Sequence, residues 1–340
     1  MNNHETPTTQ SEDTKTHEAR EQLFDHEICE ELITHLLTEH ESQRLQFKES
    51  PDVCYKLNVH FPSVYEISKR IAPEDFITQT AALYHDYGRI PQFELKGDFN
   101  DGTLGSEQDH HVIGYHAFLE DAPKILESCS DFTPLIINDS AKSGAISIIA
   151  KTIKLHGLRG KAFPEDFQNL TEEEARAVDL VSQIDDIANG VQCVGYLLRE
   201  GQEQKKNQSN GGFIPDENAT SKKVSPKVME LFRESTAFNR NAECKTYPDY
   251  YLFGAFLATR SLKNPATREL TKELMSLPTS VMEHEIIDGQ DTLVSKKFAS
   301  SIEAFEYIFR TQMEEKDANE AYNILLSYYH TGEAPNVSQQ

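Results

Sequence analysis

Residues 81–89 (AALYHDYGR) place an imidazole and a carboxylate side by side after a short apolar run, and a glycine follows two residues later to end the helix. Adjacent helical residues point about 100° apart, so an ordinary amphipathic pattern cannot bury both His85 and Asp86. If both turn inward, a positive charge must compensate the buried carboxylate, and a metal ion is the commonest group that does so. The alternative is a solvated pair of Asp86 with Arg89, beside a half-buried His85.

Composition restricts the partners. The chain of 340 residues has a formal net charge of −23 and a mean hydropathy of −0.57. An acidic surface repels nucleic acid and anionic membranes, so we expect a small-molecule partner and neither of these; the oligomeric state stays open. No apolar run is long enough for a membrane span, and the N-terminus lacks the pattern of a secretory signal. Five scattered cysteines without a CxxC pair indicate reduced thiols and a cytoplasmic protein.

Apolar residues recur at three- and four-residue steps through most of the chain, which predicts an all-α fold. We predict a disordered tail over 1–18, a helical core over 19–200, a linker or mobile loop over 201–223 and a helical extension packed on the core over 224–331. We expect helices over 55–71, 74–87, 108–126, 144–155 and 172–199, a long loop over 89–107, and C-terminal helices over 225–239, 248–263, 266–276 and 294–330, the last broken near Lys316. The Ile-rich run over 144–155 also suits a strand, and a helix is preferred there because the surrounding pattern is helical.

Histidines and acids occur repeatedly at the ends of these predicted helices, on or beside apolar faces. The candidates for an inward-facing cluster are His60, His85, Asp86, His110, His156 and Asp185. Helical bundles form metal sites from such side chains of neighbouring helices. Imidazole and carboxylate ligands without sulfur suit one or two divalent ions, with Mn²⁺, Fe²⁺, Zn²⁺, Mg²⁺, Co²⁺ and Ni²⁺ not distinguished. Asp185 is preferred to Asp186 because only Asp185 falls in the apolar stripe.

Three segments resemble the HD-domain superfamily of metal-dependent phosphohydrolases, over roughly residues 55–200. Residues 81–89 are similar to its AALLHDIGR/K segment, residues 109–114 (DHHVIG) to its DHxxIG segment, and residues 181–189 (VSQIDDIAN) to the DADxLDN segment that ends the domain. Residues 89–101 also resemble a subgroup of largely uncharacterised bacterial HD proteins with the pattern HDIGRFxQ…GTFxD. The resemblance implies an HD-domain helical bundle with additional C-terminal helices.

The resemblance also implies roles for the candidates. The ligands of a first metal ion would be His60, His85, Asp86 and Asp185. Asp86 would bridge to a second ion where one is present, and His110 and His156 match the extra histidines of two-metal members. His156 is followed by a glycine rather than a second histidine, and the Gly-Tyr-Pro signature is missing. Both departures argue against a cyclic di-guanylate enzyme.

Several positions keep alternatives. His110 competes with His111 and His116 for the role of metal ligand. The spacing to Gly114 favours His110, and we expect His111 to be exposed and His116 to pack in the core. His156 could instead complement the dipole at a helix C-terminus. Arg89 lies where related proteins direct a cation towards the substrate phosphate, but it could also pair only with Asp86 or Glu94.

The expected function is therefore hydrolysis of a phosphate ester or anhydride of a small metabolite, with a nucleotide favoured, by metal-activated water. A bound divalent ion lowers the pKa of water from about 15.7 towards 7. Asp86 and Arg89 are the expected catalytic residues, with Lys96 as a further cation for the phosphate. The alternatives are a catalytically silent HD module that binds a nucleotide for signalling, and a di-iron oxygenase on the same scaffold.

Overall fold

The computed structural model describes residues 12–97, 105–128, 144–158, 161–206, 220–235 and 243–335. Most of these residues are helical, which confirms the all-α prediction; the exception in the described part is a two-stranded antiparallel hairpin. The chain divides into two compact units, Met1–Ile184 and Asp185–Gln340. The division falls inside a helix rather than near residue 200. No described helix is both long and apolar enough to cross a membrane.

The first unit consists of helices with short connections. In chain order these are α1 (Glu12–Gln46), α2 (Pro51–Tyr55), a π-helical segment (Lys56–His60), α3 (Phe61–Ile71), α4 (Phe76–Tyr84), α5 (Arg89–Lys96), α6 (His110–Ser128), α7 (Gly144–Leu155), α8 (Pro164–Gln168) and the first part of α9 (Glu172–Lys206). Helix α1 begins inside the tail predicted over 1–18, of which residues 1–11 lie outside the described part. The helix predicted over 144–155 is confirmed as α7.

Helix α4 carries the apolar part of the 81–89 stretch. It packs against α1, α3 and α7, and all its side chains from 78 to 84 are buried. A helix that is buried all round needs partners on every side, which α4 has. Tyr84 at its end is fully buried, and its hydroxyl donates to the Leu32 carbonyl oxygen of α1 at 2.8 Å. The next two residues, His85 and Asp86, therefore emerge among helices and not at a surface.

Residues 89–96 form helix α5, so the loop predicted over 89–107 is wrong in its first part. Pro91 occupies the third helical position, where a missing N–H breaks no intrahelical hydrogen bond. Ile90 and Gln92 are buried, and Gly97 ends the helix in the left-handed region with φ 77°. Residues 98–104 of the predicted loop lie outside the described residues.

The second unit contains the rest of α9 and a cluster of shorter elements. They are α10 (Pro226–Glu234), α11 (Tyr247–Lys263), α12 (Arg268–Met275), β1 (Thr279–Ile287), β2 (Gln290–Phe298), α13 (Ser301–Gln312) and α14 (Glu315–Thr331). Helix α11 packs against α10, α12, α13 and α14 around a core rich in aromatic side chains. The linker predicted over 201–223 overlaps the end of α9, and residues 207–219 lie outside the described part.

The hairpin is a clear departure from the predicted helices. Residues 294–298 belong to β2, so the helix predicted over 294–330 is wrong in its first turn; the break between α13 and α14 falls at residues 313–314 rather than near Lys316. The turn consists of Asp288 and Gly289, with φ values of 52° and 79°. Positive φ at both central residues is the type I′ geometry that an Asp-Gly pair favours. This local signal for a hairpin was present in the sequence and was overlooked.

A buried histidine on α1 gives the first unit a pH-dependent stability. Burial, together with Arg44, lowers the pKa of His40 to about 4. The unfolded chain binds a proton at His40 near pH 6.5, whereas the folded chain binds it only near pH 4. The contribution of His40 to the free energy of unfolding is therefore fully present above pH 6.5 and is lost as the pH falls through 4. From pH 7 to pH 4 we expect the free energy of unfolding to fall by about 3 kcal/mol less in His40→Leu than in wild type. Urea unfolding at both pH values measures it, with His35→Leu on the exposed side of α1 as the control; identical pH dependence in wild type and His40→Leu would contradict it.

Candidate metal centre

His60 ends the π-helical segment between α2 and α3. The Phe61 N–H donates to the Lys56 carbonyl oxygen, five residues back instead of four. Such segments are rare in proteins and frequently mark functional sites. The wider turn brings the Tyr55 ring beside that of His60, with centroids 6.5 Å apart, and His60 is fully buried. The prediction of one regular helix over 55–71 missed this segment because the apolar stripe on which it relied begins at His60, where the π-helical segment ends.

His85 caps the C-terminus of α4 and is fully buried. Its Nδ1 lies 2.7 Å from the Ala82 carbonyl oxygen. A carbonyl oxygen only accepts, so Nδ1 carries the proton and Nε2 presents a lone pair. This lone pair faces His60 Nε2 at 3.3 Å. The backbone of α4 thus sets the tautomer of His85 so that Nε2 is available as a ligand atom.

One oxygen of Asp86 completes a group with these two rings. Oδ2 lies 3.5 Å from His60 Nε2 and 3.7 Å from His85 Nε2, and the three ligand atoms lie within 4.8 Å of one another. Lone pairs that converge on one point in a buried site repel one another unless a cation lies among them. Two imidazoles and a carboxylate are a common ligand set for borderline and hard divalent ions. The residues therefore fit a metal ion.

The other oxygen of Asp86 faces a second pair of imidazoles. Oδ1 lies 3.1 Å from His110 Nε2 and 3.5 Å from His156 Nε2. His156 Nδ1 lies 3.0 Å from the Ile153 carbonyl oxygen, which leaves its Nε2 as an acceptor. Burial lowers the pKa of His156 and so favours the neutral form that binds metals. Each oxygen of the Asp86 carboxylate is thus flanked by two buried histidines.

His111 is less suited than His110 to bind a metal. The nitrogens of His110, His111 and His156 lie within 4.8 Å of one another, but both ring nitrogens of His111 face protein acceptors: Asp109 Oδ1 at 2.6 Å and the His156 carbonyl oxygen at 3.0 Å. The His111 ring therefore lies between Asp109 and the backbone of His156, next to the candidate ligands, and groups around metal ligands commonly help to orient them. The expectation that His111 is exposed and His116 packs in the core is wrong, because His111 is buried and His116 is exposed.

Asp109 holds His111 in place and was missed in the sequence. It is fully buried, and its Oδ2 accepts a hydrogen bond from the Gly105 N–H at 2.7 Å. Burial by itself would raise the pKa of Asp109, but the His111 side chain and the backbone N–H groups of Gly105 and His111 lower it to about 2. An acid directly before the candidate histidine His110 was the available signal.

Two cations flank the Asp86 carboxylate. Lys56 Nζ lies 2.9 Å from Oδ2, and Arg89 Nε lies 3.5 Å from Oδ1. Burial alone would raise the pKa of Asp86, but Lys56, His85 and Arg89 hold it well below its usual range. The alternative of a solvated pair with Arg89 is wrong, since the Asp86 side chain is only 5% exposed. Lys56 was missed as a site residue, because a lysine one turn before His60 does not change the apolar pattern.

The predicted phosphate-binding cation Arg89 also donates to Gln92 Oε1 at 3.2 Å, within α5. Lys96, at the other end of α5, donates to the Gln108 carbonyl oxygen at 3.0 Å. Helix α5 therefore presents one cation at the Asp86 carboxylate and a second near the start of α6. The lysine that lies closest to the carboxylate is Lys56 and not Lys96.

Two glycines let α6 approach the turn that carries Asp86. A Cβ on Gly88 would lie 2.0 Å from the His110 carbonyl oxygen and 2.5 Å from Gly114 N, and a Cβ on Gly114 would lie 2.7 Å from Gly88 N. Gly88 has φ −73°, which any residue adopts, so it does not end the helix through a positive φ as predicted. Its role is close backbone contact, which places His110 beside Asp86.

Asp185 belongs to the second unit, whereas the other predicted ligands belong to the first. It is partly exposed on α9, and its Oδ1 accepts a hydrogen bond from Asn189 Nδ2 at 2.8 Å. Its neighbour Asp186 forms a two-point ion pair with Arg260, also within the second unit. The role of Asp185 as a metal ligand stays a prediction.

Comparisons with known protein families, with curated proteins and with solved structures found no match to this chain. The interpretation of the site therefore depends on the chemistry of its residues. The structure establishes a buried carboxylate between two groups of imidazoles that could hold metal ions.

Proposed function

We propose that this protein is a metal-dependent phosphohydrolase of the HD-domain type. Its substrate would be a phosphate ester or anhydride of a small metabolite, and a nucleotide is the leading candidate. The observation that carries the proposal is the position of Asp86, whose two oxygens each face two buried imidazoles. The resemblance of residues 81–89 and 109–114 to segments of that superfamily supports the same assignment.

Two ligand groups share the Asp86 carboxylate. Oδ2 with His60 and His85 would hold a first ion, and Oδ1 with His110 and His156 a second; the resemblance adds Asp185 to the first. This nitrogen and oxygen set suits Mn²⁺, Fe²⁺, Zn²⁺, Mg²⁺, Co²⁺ or Ni²⁺. A metal bound there would supply hydroxide at neutral pH, because it lowers the pKa of its bound water.

The cations of the site fit an anionic substrate. The chain as a whole carries a formal charge of −23, which repels anions at long range. Arg89 and Lys56 nevertheless place two positive charges within 3.5 Å of Asp86. The Arg89 guanidinium can donate two parallel hydrogen bonds to a phosphate and so orient it. With metal ions bound, the site would be locally cationic although the rest of the chain is acidic.

Metal analysis followed by a substrate panel tests the proposal. Protein purified without chelator should contain a divalent metal, and it should hydrolyse at least one of a phosphomonoester, a phosphodiester and a set of nucleoside phosphates. A chelator should abolish the activity and added metal should restore it. Nucleotide binding without turnover under every metal would favour the silent module instead. Colour in the isolated protein with oxygen consumption on adding a diol would favour the oxygenase. Lack of any metal binding would refute both the hydrolase and the oxygenase.

A further inference from the structure

We propose that Lys56 is an internal cation that competes with the metal ion for Asp86 and pairs with the substrate anion once the metal is bound. Metal and anion would then bind cooperatively. The inference rests on the proposed function and adds a residue to which the resemblance assigns no role. It starts from the geometry around one carboxylate oxygen.

Lys56 and the first ligand group use the same oxygen of Asp86. Lys56 Nζ lies 2.9 Å from Oδ2, the oxygen that faces His60 Nε2 at 3.5 Å and His85 Nε2 at 3.7 Å. The contact is mostly closed to solvent, with the Lys56 side chain 18% and the Asp86 side chain 5% exposed. A metal ion held by this group would therefore take the oxygen to which Lys56 now donates.

An ammonium and a divalent ion repel each other strongly at such short range in a buried site. The ammonium of Lys56 has three donors and no acceptor, so once it leaves Asp86 it needs another anion. Leaving a charge buried and unpaired is costly. Metal binding at Oδ2 is therefore opposed by Lys56 unless a new anion becomes available near it.

The π-helical segment keeps Lys56 close to that position. Lys56 and His60 are its first and last residues, so the lysine backbone stays beside the ligand group. The four-carbon stem of lysine is flexible and carries a compact charge that can turn to a neighbouring acceptor. An oxyanion bound at the ligand group would be within its reach. Arg89, on the Oδ1 side, retains its own contact with Asp86.

Coupling of this kind is reciprocal, since an anion that attracts Lys56 also strengthens metal binding. Removing the positive charge of Lys56 should therefore change both metal binding and anion binding. Lys56→Met should bind metal more tightly, because nothing competes for Oδ2. The same variant should bind the anion more weakly, because one charge-assisted hydrogen bond is lost.

Calorimetric titrations of the full chain, freed of metal by chelation, test this. The probes are Mn²⁺ alone and then inorganic phosphate added to the Mn²⁺-loaded protein. We expect Lys56→Met to bind Mn²⁺ about tenfold more tightly and phosphate about tenfold more weakly than wild type. Lys56→Arg keeps the charge and should resemble wild type. Lys69→Met is the matched control, because Lys69 lies on α3 and pairs with Glu66 on the surface.

The outcomes separate this inference from the proposed function. Wild type that binds Mn²⁺, with Lys56→Met binding it equally or less tightly, overturns the role of Lys56 and leaves the proposed function intact. If Lys56→Met binds phosphate as tightly as wild type, the proposal that Lys56 moves from Asp86 to the bound anion is overturned. Wild type that binds no divalent ion overturns both proposals. If circular dichroism shows that Lys56→Met is unfolded, Lys56→Gln must show the tighter Mn²⁺ binding, and wild-type affinity there overturns the inference equally.

Discussion

Asp86→Asn should abolish metal retention and lower phosphohydrolase activity by about 100-fold or more, because it removes the charge shared by both ligand groups. The two oxygens of Asp86 lie within 3.7 Å of four imidazole nitrogens, so the loss of this carboxylate affects both ligand groups. The metal-free protein should also lose about 3 kcal/mol of stability, because Lys56 and Arg89 lose their common anion. Metal content by mass spectrometry, activity and urea unfolding measure these effects.

His85→Ala should lose metal and activity in the same way, with the helical circular dichroism spectrum preserved in both variants at room temperature. Asp166→Asn is the matched control, because Asp166 is exposed and pairs with Lys154 away from the ligand group. Its metal content and activity should equal those of wild type. Wild-type metal content and turnover in Asp86→Asn and His85→Ala would refute the metal centre.

Gly88→Ala should weaken metal binding at least tenfold and destabilise the protein by about 3 kcal/mol, although the new side chain is a single methyl group. The methyl carbon would lie 2.0 Å from the His110 carbonyl oxygen, and this atom belongs to the backbone, which yields only if α6 moves. A shift of α6 takes His110 away from Asp86. Titration with Mn²⁺ and urea unfolding measure the two losses.

Two further glycine variants make this prediction specific. Gly114→Ala introduces the reciprocal clash, because its methyl carbon would lie 2.7 Å from Gly88 N. It should weaken metal binding and destabilise the protein as Gly88→Ala does. Gly97→Ala meets no atom within 4 Å but has a positive φ, so it should cost about 1 kcal/mol and leave metal binding unchanged. If Gly97→Ala and Gly88→Ala changed the metal affinity equally, close contact between α6 and the Asp86 turn would not be the cause of the weaker metal binding.

Local patterns accounted for the helices. The apolar run over 144–155 was assigned to a helix because its neighbours are helical, and it forms α7. Acids in the first turn after Thr171 agreed with the start of α9. The capping box is present, since Thr171 Oγ1 accepts from Glu174 N at 3.2 Å and Glu174 Oε2 accepts from Thr171 N at 2.9 Å. The prediction that failed at α5 relied on Pro91 and on nearby glycines and acids without helical period, and the one that failed at β2 extended a helix over residues that form a strand.

The candidate ligands were also visible locally, because a histidine or an acid on an apolar helix face stands out against its neighbours. His60, His85, Asp86, His110 and His156 all come together in the first unit as predicted. The supporting residues did not stand out. Lys56 is flanked by polar and apolar residues alike. Asp109 precedes two histidines that are both buried, and the sequence alone did not show that Asp109 is buried with them.

Most helices and the side chains that could bind a metal were predictable, because both depend on patterns within a few helical turns. The packing of the helices was needed to show which oxygen of Asp86 faces which imidazoles, and that Lys56 lies 2.9 Å from Oδ2. Lys56 and Asp86 are 30 residues apart in the chain, and their contact depends on how the π-helical segment packs against the end of α4. Contacts of that kind arise from close packing between segments, which leaves no periodic pattern in either of them.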